Sequence, residues 1–427
     1  MKAVVFSLGC KTNQYDGGQV AMQLENSGFE VFFDLQFADL YIINTCSVTS
    51  EADKKSRQAI ARALKFNQTA SVFVLGCSAI SDPESFKKHK SVRAVVGIEN
   101  RQSLLSKAID DFKKDFKPLV NFDNSAKAVN QKDLQLSQKS RPMVKIQDGC
   151  NRFCSYCIVP HLRGASRSVN AEEILSTIKL FAQTAKEISI TGIDISSYGK
   201  DCGSSLCQLI DQINLLQTSN QIPGDVRFRL GSLKSEIIDD NLLLAMQKTN
   251  FCDHFHLSLQ SGSDRILSKM NRKYTAKTYL QKVDLVRKYF PHAAITTDII
   301  VGFPTETDDD FYDTISLVRQ ARFAFVHIFK YSPRKNTPAF DMPQVDEATK
   351  SHRAAILKNN AKMISYGFLS SNLDKKLTVF VEGKTADGLY NYGYTSNYIK
   401  VYTKSKIGSY LPLALKKLYK DGVLANE

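Results

Sequence analysis

The sequence predicts an α/β protein with an N-terminal parallel α/β domain, a central partial (β/α)6 barrel and a small C-terminal antiparallel β-barrel. Three observations predict it. Strand-like runs alternate with helical spacing from residue 1 to about 120, six further strand candidates separated by helical segments lie between Met143 and about Asn372, and the tail from Leu373 to Glu427 alternates in strand fashion. Strands alternating with helices argue a parallel sheet. The expected domains are 1–120, a polar connection 121–142, a barrel 143–372 and a tail domain 373–427.

In the first domain, Lys2 to Leu8 reads as a buried strand, followed by a helix over Gly17 to Ser27 with Val20 and Leu24 on its apolar side. Asp39 to Asn44 is a second strand, Glu51 to Phe66 a basic helix with Ile60 and Leu64 apolar, and Ser71 to Leu75 a third strand. Ser7-Leu8-Gly9-Cys10 is similar to a lipoprotein cleavage site. The apolar run before it is shorter than the ~7–15 residues of a signal core, so a strand is expected instead.

Composition narrows the class. With 427 residues, 43% hydrophobic and 23% charged, the chain has ample length for large cores. A formal charge of +14 favours polyanionic partners, nucleic acid before membrane. No apolar run approaches the ~18 residues of a membrane span. A cytoplasmic location is expected, where thiols stay reduced. The nine cysteines, an odd number in a long chain, do not fit a disulfide framework.

Six cysteines fall into two trios. Cys10, Cys46 and Cys77 each follow a strand at once, at separations of 36 and 31 residues. A βαβ unit takes roughly 30 residues or more. Parallel strands end at one edge of the sheet, where open α/β folds bind ligands, so the three thiols are expected to converge as a cluster. Three ordinary core cysteines remain the competing reading. The second trio, Cys150, Cys154 and Cys157, has the spacing C-x3-C-x2-C and follows the strand Met143 to Gln147. A four-iron cubane normally takes four cysteines, so three leave an iron open, and open metal positions bind substrate. Zinc would need a fourth ligand, for which His161 is the only nearby candidate.

The remaining barrel strands are expected at Glu187–Ile193, Val226–Leu230, His254–Leu259, Ile295–Val301 and Phe325–Tyr331. Asn170 with Glu173 has the form of a capping box, and Asp308, Asp309 and Asp310 suit the first turn of another helix. Barrel enzymes place chemistry at the C-terminal ends of strands, where the cysteine loop sits. Arg163 and Arg167, just after that loop, are candidates for anion or RNA contacts, with a solvated basic face as the alternative. The tail carries nine Lys against five acidic residues and seven of the 17 Tyr. Basic residues such as Lys400 interleaved with aromatics such as Tyr402 suit phosphate neutralisation and base stacking; half-buried tyrosines of a small barrel are the alternative.

The C-x3-C-x2-C loop resembles that of the radical S-adenosylmethionine (SAM) enzymes. Nearly end to end, the chain resembles the radical-SAM methylthiotransferase family, whose C-terminal domain is called TRAM. Ser7 to Tyr15, Asp148 to Cys157 and His327 to Arg334 look most like its tRNA threonylcarbamoyladenosine branch. Lys11-Thr12 differs from the Gln-Met of the isopentenyladenosine branch and the Pro-Lys of the ribosomal-protein branch. Gly76-Cys77-Ser78-Ala79-Ile80 lacks the aromatic residue often seen there. The resemblance implies two [4Fe-4S] clusters, a SAM-cleaving one on Cys150, Cys154 and Cys157 and an auxiliary one on Cys10, Cys46 and Cys77. It implies that one SAM methylates a sulfur and a second yields the radical that activates carbon 2 of adenine 37, 3′ of the anticodon. SAM contacts are expected from Tyr156, Thr191, Gly192, Ser232, Gln260 and Val301, although ordinary loop chemistry explains each singly. Expected partners are the tRNA anticodon stem-loop and an electron donor such as flavodoxin or ferredoxin, with the chain a monomer. Methylthiolation of isopentenyladenosine or of a ribosomal-protein aspartate, and a non-catalytic metal-containing RNA-binding protein, are the alternatives. Cys202, Cys207 and Cys252 are expected to be unligated.

Overall fold

The structure, a computed structural model, describes residues 1–98, 101–115 and 141–426. The described residues form two compact units, those up to 115 with 149–151 and 157–165, and the remainder from 141 onward. The polar connection expected over 121–142 lies outside the described residues up to 140.

In the first unit, β1 (Lys2–Ser7), β2 (Glu30–Phe32), β3 (Leu40–Thr45), β4 (Ser71–Gly76) and β5 (Val92–Val96) form one sheet in the order β2-β1-β3-β4-β5. Every pairing is parallel. Every residue of the central β3 is buried, as expected of a parallel strand covered on both faces. Val5, Leu24, Ile42 and Phe73 pack on one side; Val4, Tyr41, Ile60 and Val72 pack on the other. The first helix, Lys11–Asn26, begins well before the expected Gly17. Gly17 instead allows it to lie against β1, since a Cβ there would sit 2.0 Å from Ser7 Oγ. The short, half-exposed edge strands β2 and β5 escape a reading based on apolar runs.

The second unit holds six parallel strands: β6 (Met143–Asp148), β8 (Glu187–Gly192), β9 (Arg227–Leu230), β10 (His254–His256), β11 (Ala294–Val301) and β12 (Phe325–Lys330). A two-residue strand, β7 (Arg167–Ser168), pairs antiparallel with β6. Isolated bridges Phe228↔Phe251 and Leu233↔Leu257 join β9 to β10, completing an open partial barrel. β10 stops at His256 rather than Leu259. The chain beyond it is held irregularly, Leu259 N–H donating to Thr297 Oγ1 at 3.0 Å and Gln260 adopting φ +76°. Asn170 caps its helix by accepting from Glu172 N–H at 2.7 Å, and the reciprocal capping box forms at Thr307 and Asp310.

The tail closes into a five-stranded barrel of β13 (Lys376–Lys384), β14 (Asn391–Thr395), β15 (Lys400–Thr403), β16 (Tyr410–Tyr419) and β17 (Gly422–Asn426). Its ladders are antiparallel except β15–β17, which is parallel because the β16–β17 hairpin brings β17 back alongside β15. This barrel seats against the N-terminal ends of the larger barrel's strands. Arg229 Nη1 donates to Ser396 O at 2.9 Å, Asn397 Nδ2 donates to His292 O at 3.2 Å, and Tyr398 stacks on His254 with centroids 4.7 Å apart.

Candidate functional site

In the first unit the ends of β1, β3 and β4, neighbours in the sheet, carry one cysteine each. Cys10 caps the helix after β1, Cys46 follows β3, and Cys77 opens the short helix Cys77–Ser81 after β4. Side chains tie these ends together. Asn13 Nδ2 donates to Leu8 O at 2.6 Å and to Thr45 O at 3.2 Å, and Ser78 Oγ donates to Cys46 O at 2.7 Å. Gly9 has φ +90°, and a Cβ there would lie 2.5 Å from Cys46 Sγ.

Burial pushes the Cys46 thiol up to about 11; a backbone hydrogen bond from Val48 opposes this, while Cys10 and Cys77 add to it. Burial likewise raises Cys77, with Arg163 opposing. Three thiols on neighbouring strand ends are soft donors of the kind an iron–sulfur cluster takes, and the donor set fits one. Gly9→Ala is expected to cut the iron of the reconstituted protein by about half, from about eight to about four, as a colorimetric iron assay would register. Unchanged iron would mean that the turn tolerates a Cβ.

The helix Val159–Arg163, which follows the second trio, packs Ile158 and Leu162 against Cys77. Arg163 corrects an expectation. It is buried, its Nη2 lies 2.9 Å from Asp16 Oδ2, and it also hydrogen-bonds the Cys77 thiol. Asp16, itself buried, takes Arg101 at 3.2 Å on its other oxygen. Arg163 therefore braces the cysteine edge and cannot reach RNA.

The C-x3-C-x2-C loop opens on Gly149, at φ +72°, where a Cβ would lie 2.0 Å from Ala165 O. Cys150 N–H donates to Gly164 O at 3.1 Å. In the second unit, Cys154 is buried and Arg272 Nη1 lies 3.5 Å from its Sγ. The same guanidinium donates to Ser258 O at 2.9 Å, so it is held in place by the irregular chain just past β10. Ser155 N–H donates to Met270 O at 3.2 Å, and Arg152 pairs with Asp194 at 2.8 Å and Glu236 at 2.9 Å. Burial, reinforced by Arg272, lowers the pKa of Lys234, with Cys154 and Asp194 opposing. A cation-rich surround beside a thiol at a strand-end rim suits an anionic cluster and a carboxylate-bearing ligand.

The expected SAM residues divide. Tyr156 packs beside Phe303 and Tyr331. Thr191 is buried near the end of β8, and Gly192 is required there because a Cβ would lie 2.8 Å from Gln147 O. Ser232 is exposed beyond β9. Gln260 spends its backbone N–H and C=O on Asp298 and Ile300. The Val301 side chain is fully buried on the face shared with Ile299, and its carbonyl accepts from Tyr331 N–H.

In the tail, Lys400 Nζ lies 2.9 Å from Asp421, and Tyr402, whose hydroxyl also donates to Asp421, is 2% exposed. Tyr402 is covered on the barrel's outer face, its ring against Tyr419 and under the Lys400 ammonium while the neighbouring Val401 enters the core, so its face is not open to stack a base. Arg167 is exposed, 3.9 Å from Asp148.

Sequence reasoning missed Arg272, which is 118 residues from Cys154. It also missed a polar group in the barrel lumen. His256, Asp298 and His327, on the adjacent strands β10, β11 and β12, bring one nitrogen or oxygen each to within 4.8 Å of one another.

Comparison with known proteins gives the family. A profile described as the Radical SAM superfamily matches residues 144–318, and one described as uncharacterized protein family UPF0004 matches residues 2–97. Proteins named threonylcarbamoyladenosine tRNA methylthiotransferase MtaB are similar over nearly the whole chain. The one from Thermotoga maritima is 35% identical, covering 100% of this chain and 97% of its own, and that from Aquifex aeolicus is 37% identical, covering 94% and 96%. A tRNA-2-methylthio-N(6)-dimethylallyladenosine synthase from Alkaliphilus oremlandii is 34% identical, covering 90% and 82%. Among solved structures, the radical SAM methyltransferase TsrM from Kitasatospora setae shares the fold, with a TM-score of 0.58 at 13% identity over 79% of this chain and 73% of that one. Full-length identity of this order places the chain in the methylthiotransferase family of radical-SAM proteins.

Proposed function

We propose that this chain methylthiolates carbon 2 of N6-threonylcarbamoyladenosine at position 37 of tRNA, with SAM and two [4Fe-4S] clusters as cofactors. The observation that carries the reading is end-to-end similarity to relatives bearing that name. Cys150, Cys154 and Cys157 would hold one cluster, and Cys10, Cys46 and Cys77 the other. When bound, the first supplies reductive cleavage of SAM and the second the sulfur, chemistry that an aromatic C–H denies to polar side chains.

The chain's own residues bind and orient. Arg272 keeps a positive charge against Cys154, and the Arg152–Asp194–Glu236 chain fixes the loop between the cysteines. Thr191, Gly192, Ser232, Gln260 and Tyr156 stand at or near the barrel rim as candidate SAM contacts. Lys400, lying over the Tyr392 and Tyr402 rings, and the exposed Arg167 are candidate RNA contacts. The domains are taken as 1–120, 143–372 and 373–427, with the tail as a TRAM-like RNA-binding barrel. Among the described residues no helix is long and apolar enough to cross a membrane. A cytoplasmic monomer acting on the anticodon stem-loop, with electrons from a flavodoxin- or ferredoxin-type donor, is the arrangement proposed.

Mass spectrometry of tRNA nucleosides from cells with and without the gene tests the reading. The methylthio form of threonylcarbamoyladenosine is expected to vanish without it, while the unmethylthiolated nucleoside accumulates. Loss of the methylthio isopentenyl nucleoside instead would overturn the substrate.

A further inference from the structure

Residues of the larger barrel alternate cleanly across β10 to β12. Phe255, Leu257, Thr297 and Ile299 are buried on the face that meets the helices, where Tyr279 donates to Leu257 O and Phe255 meets Phe290. His254, His256, Thr296, Asp298, Phe325 and His327 take the opposite, lumen face. The lumen has a floor, because Tyr398 of the small barrel stacks on His254. A barrel interior is ordinarily filled by branched apolar side chains, and buried polar groups cost stability unless they are satisfied. His256 and Asp298 are half-buried and His327 is exposed, so this polar layer lies open between that floor and the strand-end rim, where a ligand can meet it.

The layer is half satisfied. His256 is committed at both nitrogens, Nδ1 to Thr296 Oγ1 at 3.0 Å and Nε2 to Asp298 Oδ2 at 3.1 Å. Asp298 Oδ1 and both nitrogens of His327 have no hydrogen bond to any described residue. His327 is set by its rings alone, centred 5.7 Å from His256 and 4.7 Å from Phe325. Burial lowers its pKa, with His256 adding and Asp298 opposing, and a neutral imidazole offers one donor and one acceptor.

We propose that Asp298 and His327, positioned by His256, form the subsite that reads the polar substituent on N6 of the target adenosine. This rests on the function proposed above. A threonylcarbamoyl group presents ureido N–H and hydroxyl donors, which Asp298 Oδ1 accepts, and a carbamoyl carbonyl and a carboxylate, to which His327 donates. A dimethylallyl group presents none of these and would leave Asp298 and His327 unpaired. Sites built to hydrogen-bond a substrate reject the apolar analogue far more strongly than apolar pockets reject a polar one.

The test uses the cluster-loaded full chain and anticodon stem-loop RNAs carrying threonylcarbamoyladenosine, dimethylallyladenosine or plain adenosine at the target position. For His327→Leu, kcat/KM on the threonylcarbamoyl RNA is expected to fall about 10-fold, the loss of one hydrogen bond to a polar ligand. The value on the dimethylallyl RNA is expected to hold or rise. His327→Gln, which keeps a donor and an acceptor, is expected to restore most of the preference, and Asp298→Asn to lose part of it. Iron content and melting temperature verify that the variants fold. An unchanged preference in both His327→Leu and Asp298→Asn would overturn the subsite. So would the loss of one divalent ion per chain in Asp298→Asn, which would assign the trio to a cation. Wild-type enzyme that ignores the threonylcarbamoyl RNA and modifies the dimethylallyl one would instead overturn the substrate proposed above.

Discussion

Cys46→Ser is expected to abolish methylthio product while SAM cleavage to 5′-deoxyadenosine persists, and to lower iron from about eight to about four per chain. The expectation follows from where the thiols come from. Cys46 stands at the end of β3, between the strands that deliver Cys10 and Cys77, and none of the three belongs to the C-x3-C-x2-C loop. A serine hydroxyl is a harder, more weakly acidic donor than a thiol and holds iron–sulfur iron poorly. Its extra cost here is small, since Ser56 Oγ and Ser78 Oγ already satisfy the backbone around Cys46. Cys154→Ser is expected to remove both activities, because it strikes the loop that Arg272 braces. Chromatography of 5′-deoxyadenosine alongside nucleoside mass spectrometry separates the two variants. If Cys46→Ser made methylthio product at the wild-type rate, the auxiliary trio would have no part in the reaction.

Both cysteine trios stand out in the sequence because each obeys a local rule. One has a tight spacing, and the other repeats a strand-end position at the interval of a βαβ unit, with Gly9 and Gly76 at φ +90° and +92° marking the turns. The six barrel strands were legible for the same reason, as runs of apolar residues between helical segments. What supports the cysteines was not. Arg163 reads as a surface cation in a basic stretch, and only the packing of its short helix against Cys77 commits it to Asp16. Tyr402 reads as a stacking platform, yet Tyr419, Lys400 and Asp421 close around it on the small barrel's outer face. The lumen trio comes from three strands whose order in the sheet has to be known before His256, Asp298 and His327 become neighbours. Edge strands such as β2, three residues long, carry too few residues for any period to register.

Glu187→Gln is expected to be the most destabilising single change outside the cysteine sites. Glu187 is fully buried on β8 and neutralises a group of arginines: Arg227 Nε at 2.5 Å, Arg229 Nε at 2.7 Å and Arg141 Nη1 at 3.4 Å. Arg141 also takes Glu382 of the small barrel at 2.6 Å, and Arg229 lies over the Tyr398 ring at 4.6 Å. One carboxylate thus balances the cations on which the small barrel seats. Replacing a buried pair with apolar residues is often neutral, but removing one partner leaves charge uncompensated and costs about 3–5 kcal/mol. In a unit of this size that corresponds to a fall of roughly 6–15 °C in melting temperature. The pH dependence follows from the direction of the shift. Burial alone would raise the Glu187 pKa, but Arg229, Arg227 and Arg141 outweigh it and hold the group well below its ordinary 4.5. A carboxylate depressed in the folded state contributes stability that is complete above the unfolded value and is lost as pH falls toward the folded one. The gap between wild type and Glu187→Gln should therefore be full at pH 7 and narrow progressively below about pH 4.5. Thermal melts of both proteins across that range measure it. A gap that stayed constant into acid would mean that Glu187 acts through shape rather than charge.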